Sequence, residues 1–269
     1  MSAHGSNLTS NPGERDDAEV EEAFERLLEQ GEERLSRPLL PLVATGLLGG
    51  IDVAMGVLIY LVVLTETGSS LLAALAFTIG FVALLLASSE LFTENFLVPV
   101  TAVLAGKSTL TALLRLWVVS LATNLVSGLA MAAMIIAALP AVKDSAIETG
   151  AHYADLGVSV RSFFLAVLAG AVITLLTRMQ NSTESLGVKI VPAVLMSFVL
   201  VGAELFHSVL DSIFMFAGLL TGRAPYGWTQ WLGALGWSAM GNILGGIVLV
   251  TAIRVLRVPH RIAEERQKA

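Results

Sequence analysis

From residue 39 onward the chain is built of long apolar runs separated by short polar breaks. A helix crossing a bilayer needs about 20 predominantly apolar residues. Six stretches are long enough: 39–64, 70–105, 110–139, 160–178, 187–221 and 229–256. The second and fifth are too long for one straight span, and each has a polar interruption in its middle. The pattern predicts an all-α membrane protein with six transmembrane helices, of which helices 2 and 5 are broken. The first 36 residues read differently. They open on Ser, Asn, Gly and Pro with no apolar stretch, which predicts no cleavable signal and disorder to about residue 17. From 18 to 35, Val20, Phe24, Leu27 and Leu28 recur at helical spacing among charges. That spacing predicts an amphipathic helix against the membrane surface or a neighbouring subunit, or else a solvated stub. The chain thus divides into an acidic N-terminal tail over 1–36, a transmembrane domain over 37–258 and a C-terminal tail over 259–269.

The two interrupted spans look alike. Glu90-Leu91-Phe92-Thr93 matches Glu204-Leu205-Phe206-His207 at an offset of 114 residues. Gly106-Lys107 answers Gly222-Arg223 at 116, and Asn124-Leu125-Val126-Ser127-Gly128 answers Asn242-Ile243-Leu244-Gly245-Gly246 at 118. Three matches in order, with so small a drift, predict a duplication. Each half holds three spans, and an odd number makes the second copy enter the membrane from the opposite side. The expected architecture is a 3+3 inverted repeat whose two interruptions face each other near the midplane, as in secondary transporters and channels.

Composition agrees: 55% of residues are hydrophobic, mean hydropathy is +0.77 and only 14% are charged. The net charge of -6 comes largely from the tail, so it implies neither a basic nor an acidic partner, and no nucleic acid is expected. With the N-terminus inside, thirteen lysines and arginines fall in the cytoplasmic segments and inner span ends and three (Lys143, Arg161, Arg223) in the outer loops. The positive-inside bias therefore predicts cytoplasmic termini in a bacterial-type inner (plasma) membrane. The absence of cysteine rules out disulfides and thiolate sites, and no metal or cofactor is expected.

His207 is the single histidine inside a span. A buried imidazole needs a partner, and its ordinary pKa of about 6.5 suits proton exchange with a passing weak acid. The competing reading is a packed core histidine. Thr93, taken as its symmetry mate, has a hydroxyl that can bond the imidazole, the solute or its own backbone. Glu90 and Glu204, taken as equivalents, are read as braces of the broken helices rather than as proton carriers. Asn124 and Asn242 are read as helix-packing residues that tie down freed backbone groups. Asp52, Glu94 and Asp211 stay open between gate, subunit contact and vestibule. Phe77 and Phe81 lie about one helical turn apart, a spacing that fits simple packing.

At Ser88 to Asn95, SSELFTEN, with Trp117 and the NLVSG segment, and again at LFHSV (205–209), AGLLTG (217–222) and GNILGG (241–246), the sequence resembles the formate/nitrite transporter family. The similarity runs from about Leu39 to Leu256. It implies an aquaporin-like fold, a homopentamer with one pore per subunit, and transport of formate, nitrite, hydrosulfide or a related small monovalent anion, often with a proton. It places Thr93 and His207 at the pore centre, with Phe77, Phe81 and Phe92 lining the constriction on one side and Leu200 on the other. Two departures stand out. Before the fourth span the family's lysine is missing and Arg161 is the closest basic substitute, with Thr174 near the family's asparagine. Glu204 lies three residues before His207 rather than beside it. The resemblance therefore implies a divergent subgroup.

The expected function is transport of a small weak-acid anion, which enters a vestibule, takes a proton from His207 or from water and passes the hydrophobic constriction as the neutral acid, through a protein surrounded by membrane lipid. A channel for small neutral solutes is the alternative. An intramembrane enzyme or anchor subunit is disfavoured: HExxH and GxSxG are absent, and one in-span histidine cannot hold a bis-His haem.

Overall fold

A computed structural model describes residues 12–256 and 259–268, with side chains from residue 24 on. Expectations for residues 1–11, and for the Val20 side chain, lie outside the described residues. The elements are helices α1 (Pro12–Ser36), α2 (Leu39–Thr67), α3 (Ser70–Ala87), a 3-10 turn (Phe92–Phe96), α4 (Val98–Leu104), α5 (Leu110–Ala138), α6 (Lys143–Leu156), α7 (Val160–Gln180), α8 (Leu186–Gly202), α9 (Ser208–Leu220), α10 (Trp228–Leu244), a π-helical segment (Gly245–Ala252), α11 (Ile253–Val255) and α12 (Pro259–Lys268). Among the described residues α2, α3, α5, α7 and α10–α11 are long and apolar enough to cross a membrane; α4, α8 and α9 are shorter apolar helices. The second span is α3 followed by α4, and the fifth is α8 followed by α9. Each crossing begins or ends within about three residues of its predicted boundary, because apolar run length sets these limits.

Polar caps separate the crossings. Gly68, at φ 64°, turns the chain out of α2, and the Ser69 hydroxyl accepts the Leu72 N–H to start α3. Thr109 caps α5 through Ala112, and Ser159 forms a capping box with Ser162 at the start of α7. Such caps satisfy N–H groups that hydrocarbon could not.

Helix α1 begins at Pro12, so residues 12–17 are helical where disorder was expected; proline is preorganised for a first helical position, and Glu, Ala and Arg continue the helix well. The described part of its apolar face is buried within the chain. Phe24 and Leu28 pack with Ala105, Leu27 with Leu97 and Val98, and Leu35 with Leu42 and Val100, all within the same chain. Burial of each such side chain stabilises by about 1.5–3 kcal/mol, but lipid would bury the same face as well. What distinguishes docking is that Arg34 and Arg37 of this segment reach Glu90, whose carboxylate would otherwise be buried without a cation.

The stretch after α5, expected as an outer loop, instead holds α6. Helices α1 and α6 play one role: α1 packs on α4, and α6 packs on α9. Each half is therefore an amphipathic helix followed by a span, a broken span and a third span. The α6 signal is visible in retrospect at Ala146, Thr149, Gly150 and Tyr153, which share its buried face.

Backbone bonding fixes the register of the repeat at the breaks. Ser88 and Glu204 are the described non-glycine residues with positive φ, at 52° and 50°. Behind them Ser89 N–H donates to Leu84 O at 3.1 Å and Leu205 N–H to Leu200 O at 3.0 Å. The offset is 116, not 114. Ser88 thus corresponds to Glu204, Glu90 to Phe206, Leu91 to His207 and Thr93 to Val209. The expectation that Glu90 and Glu204, or Thr93 and His207, are symmetry mates is corrected: three shared letters, Glu-Leu-Phe, slid by two residues against the backbone.

Candidate functional site

The breaks are held by the two asparagines. Asn124 accepts the Phe92 N–H at 2.9 Å and donates to the carbonyls of Gly46 at 2.7 Å and Glu90 at 2.8 Å. Asn242 repeats this, accepting the Ser208 N–H at 2.9 Å and donating to Ala166 and Phe206, each at 2.9 Å. Both are fully buried. Every polar group of each carboxamide has a partner, so two chain segments that left their helices stay satisfied where water is scarce. Gly50 and Gly170 let the asparagine backbones approach closely; a Cβ on either would meet a carbonyl oxygen, Asn124 O at 2.3 Å or Asn242 O at 2.0 Å.

Between the breaks Thr93 and His207 meet, with Oγ1 and Nε2 at 2.9 Å and both residues fully buried. The other ring nitrogen of His207 caps α9 by accepting the Leu210 N–H at 3.1 Å. A nitrogen that accepts carries no proton, so the neutral ring holds its hydrogen on Nε2 and donates it to Thr93. The Thr93 hydroxyl hydrogen is then available to another acceptor. Asp211 completes the cap, its Oδ2 accepting the His207 N–H at 2.6 Å. Its repeat partner Asn95 sits likewise four residues past its break, donating to Leu91 O at 3.2 Å. Protein acceptors therefore already occupy the Ser208, His207 and Leu210 N–H groups at the start of α9.

The pathway candidates fall on neighbouring helices. Phe77 and Phe81 are buried on α3, their rings 5.9 Å apart, and Phe77 packs against Gly56 of α2. Leu200 is buried on α8, which lies beside α3. Phe92 packs edge-on against Phe96 at 5.2 Å. Arg161 is exposed at the start of α7.

The carboxylates part company. Glu90 is buried and takes Arg37 at 2.8 Å and Arg34 at 3.4 Å; Arg34 also reaches Asn95 at 3.2 Å. Glu204 is exposed beside His152 of α6, at 3.4 Å. In the second half Phe206 takes the place of Glu90 and stacks on Tyr153 of α6 at 6.4 Å. One junction between amphipathic helix and break is thus ionic and its repeat is aromatic. Asp52 accepts the Ser89 hydroxyl at the first break. A cavity of about 350 Å³ opens between α1, this break and the adjoining ends of α7 and α8.

The formate/nitrite transporter family model matches residues 21–256. Similar proteins include the inner membrane protein YfdC of Escherichia coli (strain K12), 28% identical over 91% of this chain and 82% of that protein. The uncharacterized transporter YrhG of Bacillus subtilis (strain 168) is 27% identical over 87% of this chain and 91% of that protein. Among solved structures, an FNT family ion channel superposes with a TM-score of 0.76 at 18% identity, covering 88% of this chain and 99% of that one. A pentameric formate channel with formate bound superposes with a TM-score of 0.67 at 20% identity, covering 81% and 97%.

Proposed function

This chain belongs to the formate/nitrite transporter family, and on that premise we propose that it carries a small monovalent weak-acid anion, formate or nitrite in type, across the membrane together with a proton. The observation that carries the reading is the Thr93–His207 bond, which joins the two broken spans at a buried point. A bare charge at the bilayer centre costs about 3 kcal/mol or more, roughly a hundredfold in population. A neutral acid escapes that cost, so the passage works by protonating its substrate on entry and releasing the proton on exit.

His207 is poorly placed to supply that proton. Its Nε2–H is the last proton of a neutral ring, and protonating Nδ1 would break the Leu210 cap. The proton therefore comes from the α1 side or the opposite vestibule, while His207 holds Thr93 so that its hydroxyl donates to the passing acid. Homopentameric assembly, as named for the solved formate channel, and cytoplasmic termini belong to this proposal. The test is pH-dependent uptake of formate and nitrite in proteoliposomes: His207→Ala and Thr93→Ala should each alter it, and unchanged uptake in both variants would overturn the assigned roles.

A further inference from the structure

We propose that Glu94 is the proton-exchanging group of the passage on its α1 side. The cavity there has six charged residues in its lining: Glu33, Arg34, Arg37, Glu90, Glu94 and Lys189. The two arginines are committed to Glu90, with Arg34 also bonded to Asn95 and Arg37 to Thr45. Glu94 is different. It is only 7% exposed, lines the cavity and follows Thr93 directly in the chain. Among the described residues its carboxylate has no hydrogen bond or ion pair, although Arg34 and Glu90 act on it through space. Its backbone N–H is tied to Leu91 O at 3.1 Å, which holds the 3-10 turn and fixes where the side chain starts.

A carboxyl group so placed can give up its proton and regain it from water in the cavity. The Glu94 O–H bond breaks, the proton forms an O–H bond on the incoming anion, and the neutral acid moves on past Thr93. The carboxylate left behind is reprotonated from the α1 side, so each cycle moves one proton with one anion. The charged groups that share the cavity with it are Glu33, Arg34 and Arg37 from α1 and its C-terminal end, Glu90 from the break and Lys189 from α8, and of these Arg34 and Glu90 act on it electrostatically. Helix α10 and the π segment contain no charged residue.

This inference rests on the weak-acid reading, and the experiment separates the two. Proteoliposomes with an internal pH dye take up labelled formate at about pH 5 and about pH 7.5, where the free acid is respectively more and less available outside. Glu94→Gln and Glu94→Ala should lose neutral-pH uptake by about a hundredfold while keeping much of the acidic uptake. Glu94→Asp should restore coupling. A merely structural role would lower uptake at both pH values alike, and either carboxyl-free variant that purifies as an intact oligomer decides. Parental rate and pH profile in such a variant, with proton-coupled formate flux in the parent, overturns the role of Glu94 alone. Absence of proton-coupled flux in the parent overturns the weak-acid reading and this inference with it.

Discussion

Replacing Asn124 by alanine tests whether the breaks are held as described. Three bonds vanish, but they are unequal. The Gly46 carbonyl lies inside α2 and keeps its helical partner, whereas the Phe92 N–H and Glu90 carbonyl lie in irregular chain and lose the bond Asn124 gave them. A buried polar group left unsatisfied costs about 1–3 kcal/mol, so two cost about 2–6 kcal/mol. For a chain of this size 1 kcal/mol shifts the melting temperature by about 2–4 °C, and the expected loss is on the order of 10 °C. Thermal melting of purified protein in detergent, followed by the surviving oligomer peak on size exclusion, measures it. Asn242→Ala should behave alike, because its bonds are the same three in the inverted half. Melting of both variants within about 2 °C of the parent would show that other groups hold the breaks and refute the reasoning.

Two further outcomes follow from local geometry. Gly170→Ala puts a methyl 2.0 Å from the Asn242 carbonyl oxygen and should cost about 1–3 kcal/mol or more, while Gly187→Ala, with nothing within 4 Å, should melt like the parent. At the C-terminus, Glu265 binds Lys107 at 2.6 Å and Lys268 at 2.7 Å, and these bonds hold its carboxyl at a pKa of about 2. A pKa depressed on folding means that the contribution of Glu265 to docking α12 is fully present above the ordinary carboxylate value and fades as pH falls toward about 2. The chain has no cysteine, so a spin label on Ala263→Cys reports the helix uniquely. Its mobility should rise across that acidic window and also in concentrated salt, which screens the exposed pair; a label equally immobile at both extremes would count against the contact.

What the sequence determined by itself were the crossings, their breaks and the existence of two inverted halves. Transfer into hydrocarbon sums over about 20 neighbouring residues, so it is a local quantity readable without a fold. Duplication likewise leaves its trace in the order of motifs. The tertiary structure decided what local sums cannot. Glu-Leu-Phe repeats at 114, but hydrogen bonds at Ser89 and Leu205, and at Phe92 and Ser208, pair the chains at 116, since backbone satisfaction rather than side-chain letters sets the register. The amphipathic face of α1 was legible, but its covering by α4 depended on a buried carboxylate, Glu90, that follows Arg34 by 56 residues. Glu94 shows the same limit. Its letter says only that a charge lies in a span, and its meaning comes from which cations its neighbours have already taken.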